Sequence, residues 1–91
     1  MKVVTFVVPQ NLGEICAETA TLLAGGATLL PGGLGWWVNG DGQVEREKVS
    51  LLLVGATEVS GVIDAIKEIL RGAGEKAVFY LVEGEAKLEW L

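Results

Sequence analysis

Residues 2–8, Lys-Val-Val-Thr-Phe-Val-Val, are β-branched or aromatic at nearly every position and stop at Pro9, as a strand does. Thr5 apart, both faces of that strand are apolar, which suits the middle of a sheet covered on both sides. The period then lengthens. Asn11 with Glu14 three residues on has capping-box spacing, and Leu12, Ile15, Cys16, Thr19, Leu22 and Leu23 recur at helical intervals, predicting a helix with that stripe buried. Gly25-Gly26 ends it.

Ala27–Leu30 reads as a short strand broken by Pro31-Gly32-Gly33 and resumed by Leu34-Gly35-Trp36-Trp37-Val38. Asn39-Gly40-Asp41-Gly42 is a hairpin turn, because Asn-Gly and Asp-Gly pairs tolerate positive φ. The return arm alternates polar residues from Gln43 to Lys48, then turns apolar from Val49 to Val54. Thr57 is the expected cap of a second helix, whose stripe is Val59, Val62, Ile63, Ile66, Ile69 and Leu70, with Asp64, Lys67, Glu68 and Arg71 on the wet side. Gly72 and Gly74 close it. Ala77–Val82 is a further strand, Glu83-Gly84 a turn, and Ala86, Leu88 and Trp90 alternate with Glu85, Lys87 and Glu89 in a one-sided fifth strand.

The order is β-α-β-β-α-β with one β added. The first and third strands are apolar on both faces, and they are the central pair of a split βαββαβ sheet ordered 4-1-3-2. Right-handed crossovers place both helices on one side. The expectation is therefore a single ferredoxin-like α+β domain over 1–91, an antiparallel sheet with two helices on one face, an extra C-terminal strand, and an open second face.

Composition sharpens this picture. Ninety-one residues suffice for one domain that buries roughly 60–70% of its unfolded surface. An apolar content of 51% is high for that size and predicts a homo-oligomer, a trimer or another closed number. Twelve acidic against seven basic residues give a net charge of −5, with the cations scattered, so neither nucleic acid nor an anionic membrane is an expected partner. A single cysteine, no signal-peptide pattern and no long apolar run fit a reducing cytoplasm.

Candidate chemistry is sparse. No histidine exists, which removes Ser-His and Cys-His pairs and the commonest metal ligand, and one cysteine cannot build a thiolate zinc site within one subunit. Cys16 falls on the buried stripe. Glu45 and Glu47 share a strand face, in principle a carboxylate pair, but solvated charges on an edge strand explain them as well. The expectation is no enzyme, no catalytic residue, no metal and no cofactor. Glycine carries the remaining signal: Gly32, Gly33 and Gly35 allow close backbone approach to an anion beside Trp36 and Trp37, whose indoles can stack on a ring. Arg71, Gly72, Gly74 and Lys76 form a second anion-compatible turn, which a neighbouring subunit would bring to the 31–37 segment. Trp36 and Trp37 point to opposite faces, so at most one enters the core, and with Leu88 and Trp90 they are the candidate interface residues.

The strand ending at Pro9, the β2–β3 hairpin, Lys48-Val49-Ser50-Leu51-Leu52-Leu53-Val54 and Val78-Phe79-Tyr80-Leu81-Val82 together resemble PII-type signalling proteins and their PII-like and divalent-cation-tolerance relatives. The resemblance implies trimers that bind adenine nucleotides or other small effectors between subunits, near the β2–β3 loop. Residues 26–49, with Pro31, Trp36-Trp37 and Asp41-Gly42, are also similar to small ferredoxin-like proteins of bacteria and phages, which implies sequestering of a signal or counter-defence against a host. The functional expectation is a non-enzymatic oligomer that binds a small anionic or nucleotide ligand as a sensor or sink. Its alternative is an inhibitor whose partner is a host protein.

Overall fold

A computed structural model describes residues 1–83 and 85–91, with only the backbone of Glu85, Ala86 and Leu88. The chain runs β1 (Lys2–Pro9), a 3-10 turn (Gln10–Leu12), α1 (Gly13–Ala24), β2 (Thr28–Val38), β3 (Val44–Ala56), α2 (Val59–Gly72), β4 (Ala77–Val82) and β5 (Glu85–Trp90). The five strands form one sheet in the order β2-β3-β1-β4-β5, every pair antiparallel. Its first four positions are the split arrangement expected from the apolar character of β1 and β3, with β5 added beside β4. Among the described residues no helix is long and apolar enough to cross a membrane.

The core lies between the helices and one face of the sheet. Val4, Phe6 and Val8 of β1, Leu52 and Val54 of β3, and Val78 and Tyr80 of β4 meet Cys16 and Ala20 of α1 and Val62, Ile66 and Leu70 of α2. The stripe of α2 is the one its spacing predicts. Its cap is Glu58, not Thr57: the Glu58 carboxylate accepts the Ser60 N–H at 3.1 Å.

In α1 the expected stripe is displaced. Gly13, Cys16 and Ala20 are buried, with Leu12, Ala17 and Ala24 packed at their margin. Ile15, Leu22 and Leu23 face outward, Leu22 being 88% exposed. Small residues win this face because they let the helix sit close to the sheet. A Cβ on Gly13 would lie 3.2 Å from both Leu29 Cδ1 and Ser50 Oγ. Asn11 falls within the 3-10 turn, and α1 carries no side-chain cap.

β2 is continuous where the sequence suggests a break. Leu30 pairs with Leu51, but the next pair is Gly33 with Val49, so β2 carries one extra residue there. That bulge has a topological consequence, because inserting one residue exchanges the faces of everything beyond it. Leu34 and Trp36 thereby fall on the helix side, and Gly35 and Trp37 on the open side. β1 reaches only to the Pro9–Val49 pair, so Leu34–Val38 and Val44–Lys48 continue as a two-stranded arm. Asn39 closes its tip, its Oδ1 accepting the Asp41 and Gln43 N–H groups at 2.9 and 3.0 Å.

The expected Glu83-Gly84 turn is described only at Glu83, whose φ is +48°. On the helix side of β5, Glu89 accepts hydrogen bonds from Lys67 of α2 and Tyr80 of β4. This ties the added strand to the helix layer. Burial, then the hydrogen bond to Glu89, pushes the Tyr80 phenol up to about 12, and Lys67, then Tyr80, holds the Glu89 carboxyl below its usual range.

Candidate functional site

The open face supplies the first feature. Val3, Val7, Leu30, Leu51, Leu53, Phe79 and Leu81 lie on it, and Val3, Leu30, Leu51 and Phe79 are exposed. A contiguous apolar surface of this kind is uncommon on a monomer.

The tryptophans supply the second. Trp36, Trp37 and Trp90 are 61%, 41% and 80% exposed, so none contributes to the core. Trp37 faces the open side, directly across from Glu45. Trp90 lies opposite Ala77 at the same end of the sheet, on the far edge. Trp36 faces the other way, opposite Arg46. The side chain of Leu88, the fourth expected interface residue, lies outside the described residues.

Two of the three expected glycines form a floor. A Cβ on Gly33 would sit 3.2 Å from Val49 Cγ2 and 3.3 Å from its carbonyl oxygen, and one on Gly35 would sit 3.3 Å from Val49 Cγ1. Their job within the chain is to let Val49 lie across β2, where it is 7% exposed. Gly32 has φ +89° and open space around it, as the bulge requires.

The α2–β4 turn comes to this same end. Gly74 adopts φ +85°, and the Glu75 N–H closes onto the Leu70 carbonyl at 3.0 Å. The charge of Glu75 is felt by Glu47 on the arm: burial first, then Glu75, then Glu45, raises the Glu47 carboxyl above its ordinary value. The fold therefore puts the Gly-Trp segment and the 71–76 turn at the same end of the sheet, with Glu47 on the strand between them. Arg71 is engaged by Glu68 one turn back, and the Lys76 carbonyl accepts the Leu91 N–H at 2.7 Å. Glu45 and Glu47 put two carboxylates on the open face of the arm, and Glu75 adds a third at this end of the sheet. Reading Glu45 and Glu47 along one strand does not reveal Glu75, which arrives from thirty residues away. Cys16 sits outside the site; burial pushes its thiol up to about 11. A surface hollow of about 530 Å³ at the opposite end, between Met1, residues 24–28, Leu53 and Gly55, contains no charged side chain.

The architecture defines a PII/CutA-like ferredoxin fold, and solved structures share it. A phage SAM lyase in complex with S-methyl-5'-thioadenosine superposes with a TM-score of 0.73 over 99% of this chain and 89% of that one, at 13% identity. CutA from the phytopathogenic bacterium Xylella fastidiosa gives a TM-score of 0.66 over 99% of this chain and 82% of that one, at 21% identity. No family model and no curated protein matches the sequence. The expected resemblance in fold to PII-like and divalent-cation-tolerance proteins is borne out. The expectation of a non-enzymatic protein is not. The lyase shows that this architecture houses an enzyme, so the missing histidine and cysteine pairs exclude only reactions that depend on them.

Proposed function

We propose that this chain is an oligomeric enzyme of the SAM lyase type, binding S-adenosylmethionine between copies packed through their open faces. Gly33, Gly35, Trp37 and the 71–76 turn line the site. The observation that carries this reading is the match to the lyase along nearly the whole chain. The chemistry of the corner supports it. The substrate bears a sulfonium, which a tryptophan face and nearby carboxylates attract. Trp37, Glu45, Glu47 and Glu75 supply both.

The reaction also suits a chain without a proton shuttle. When a C–S bond of a sulfonium breaks, sulfur keeps the electron pair and departs as a neutral thioether, S-methyl-5'-thioadenosine. The substrate's own carboxylate can close on the γ-carbon as that bond breaks, giving a five-membered lactone with no proton transferred. The protein's task is to hold that carboxylate against the carbon and exclude water; both groups belong to one molecule, so the gain is that of fixing a near-attack conformer. The anionic site residues act on binding more than on rate, since the positive charge on sulfur fades as the bond breaks.

Incubation with S-adenosylmethionine and chromatographic detection of S-methyl-5'-thioadenosine tests the reading. Turnover is expected, with Glu47→Gln raising KM far more than it lowers kcat. No thioether release, together with no heat on titrating substrate or product, refutes it.

A further inference from the structure

The bulge gives the arm two chemically different faces. On the helix-side face, Leu34 pairs with Lys48, Trp36 with Arg46, and Val38 with Val44. All six side chains are exposed, and the face holds two cations and no carboxylate. Glu45 and Glu47 are on the reverse, and Asp41 is in the tip turn. A two-stranded ribbon is marginally stable in water, and here it exposes Leu34, Trp36, Val38 and Val44 to solvent.

The outer face of α1 has the opposite character. Ile15 and Leu22 are seven residues apart on one side, with Leu23 beside them and Glu14 and Glu18 along the same exposed surface. The helix contains no cation. Ala17, Glu18, Thr21 and Leu22 line a shallow hollow there. The ion pairs found among the described residues, Lys67–Glu89 and Arg71–Glu68, use none of these groups.

We infer that the helix-side face of the arm docks on the outer face of α1 of a second copy, Trp36 over the Leu22 hollow and Arg46 and Lys48 against Glu14 and Glu18. Apolar area meets apolar area, and the charges complement each other. A chain's own Trp36 cannot reach its Leu22. α1 begins beside Ser50, at the arm end, and runs away from it, so its last turn leads into Thr28. Eight residues of strand separate Thr28 from Trp36, roughly 25 Å at the usual rise. This interface uses surfaces distinct from the open face and stands independently of the proposed activity.

The test is disulfide trapping between two tagged copies, one carrying Leu22→Cys and the other Val38→Cys. Native Cys16 is fully buried and gives little background. A linked two-chain species is expected on mild oxidation. Adding Arg46→Glu and Lys48→Glu to the arm copy should cut its yield roughly tenfold or more, since like charges then face each other. Adding Glu14→Lys and Glu18→Lys to the helix copy should restore it. Absence of the linked species, or a yield indifferent to both reversals, overturns the inference. A failed rescue with both reversed copies folded by circular dichroism does the same.

Discussion

Ser50 is the sharpest test of how α1 meets the sheet. Its side chain is 1% exposed, and its Oγ has no hydrogen-bond partner among the described residues. An unpaired buried hydroxyl costs about 1–3 kcal/mol, so Ser50→Ala, which deletes it without enlarging the residue, is expected to stabilise the fold by about 1 kcal/mol. In a domain of this length that corresponds to a rise of roughly 4–8 °C in Tm. Gly13 completes the argument. Its φ is −59°, open to any residue, so alanine there should gain about 0.4–1 kcal/mol through the unfolded chain. The added Cβ, however, meets Ser50 Oγ and Leu29 Cδ1 at 3.2 Å each. Overpacking of that kind costs about 1–3 kcal/mol, and Gly13→Ala alone should be neutral or destabilising. With Ser50→Ala present, the remaining neighbour is the mobile end of Leu29, and the same change should stabilise. A four-protein urea-unfolding cycle at fixed protein concentration measures the coupling, expected near 1 kcal/mol in favour of the double variant. Destabilisation by Ser50→Ala of more than about 1 kcal/mol, or strictly additive effects, would show that the hydroxyl has a partner and that the contact is not tight.

Gly33→Ala should cost about 1–3 kcal/mol, because the carbonyl of Val49 is a neighbour that cannot rotate away; Gly35→Ala, which meets only a Val49 methyl, should cost less, and the ranking is read by thermal melts. Cys16 should ignore an aromatic disulfide reagent at pH 8 in the folded protein and react promptly in denaturant, since its thiol is buried and raised to about 11. The Glu89 cluster should weaken at both pH extremes. Its carboxyl is depressed in the fold, so its contribution is present above the unfolded pKa and is lost as pH falls through the lower folded value. The Tyr80 phenol is raised, so its contribution holds below its ordinary 10 and is lost as pH rises towards about 12. Lys67→Met should flatten the acid limb, as followed by denaturant midpoints across pH.

Much of this molecule is legible in its residues taken in order. β1 and β4 have their expected bounds within a residue, α2 shows its stripe, and apolarity on both faces of β1 and β3 identifies the central strands. Each of these rests on a strong local period or composition, and tertiary contacts only reinforce it. The candidate site is legible in part. The glycines and tryptophans stand out in sequence, but Glu75 joins Glu45 and Glu47 only because β4 returns beside β1 and carries the α2–β4 turn to the arm end. The expectation of no catalysis is overturned by an enzyme that shares the fold, and its premise was too broad: the absence of histidine excludes only reactions that depend on one.

Sequence alone thus determined the elements, their order and the centre of the sheet, because period and side-chain branching act over a few residues. Tertiary structure decided which side of α1 is inside and which tryptophan faces which way. α1 has large apolar residues on more than one side, and the tie goes to Gly13, Cys16 and Ala20 because a helix pressed onto a sheet gains most where its side chains are smallest. The tryptophans are assigned by one extra residue between Leu30 and Gly33. Whether Pro31-Gly32 ends a strand or bulges within it depends on the partner strand, and that choice exchanges the faces of every residue beyond.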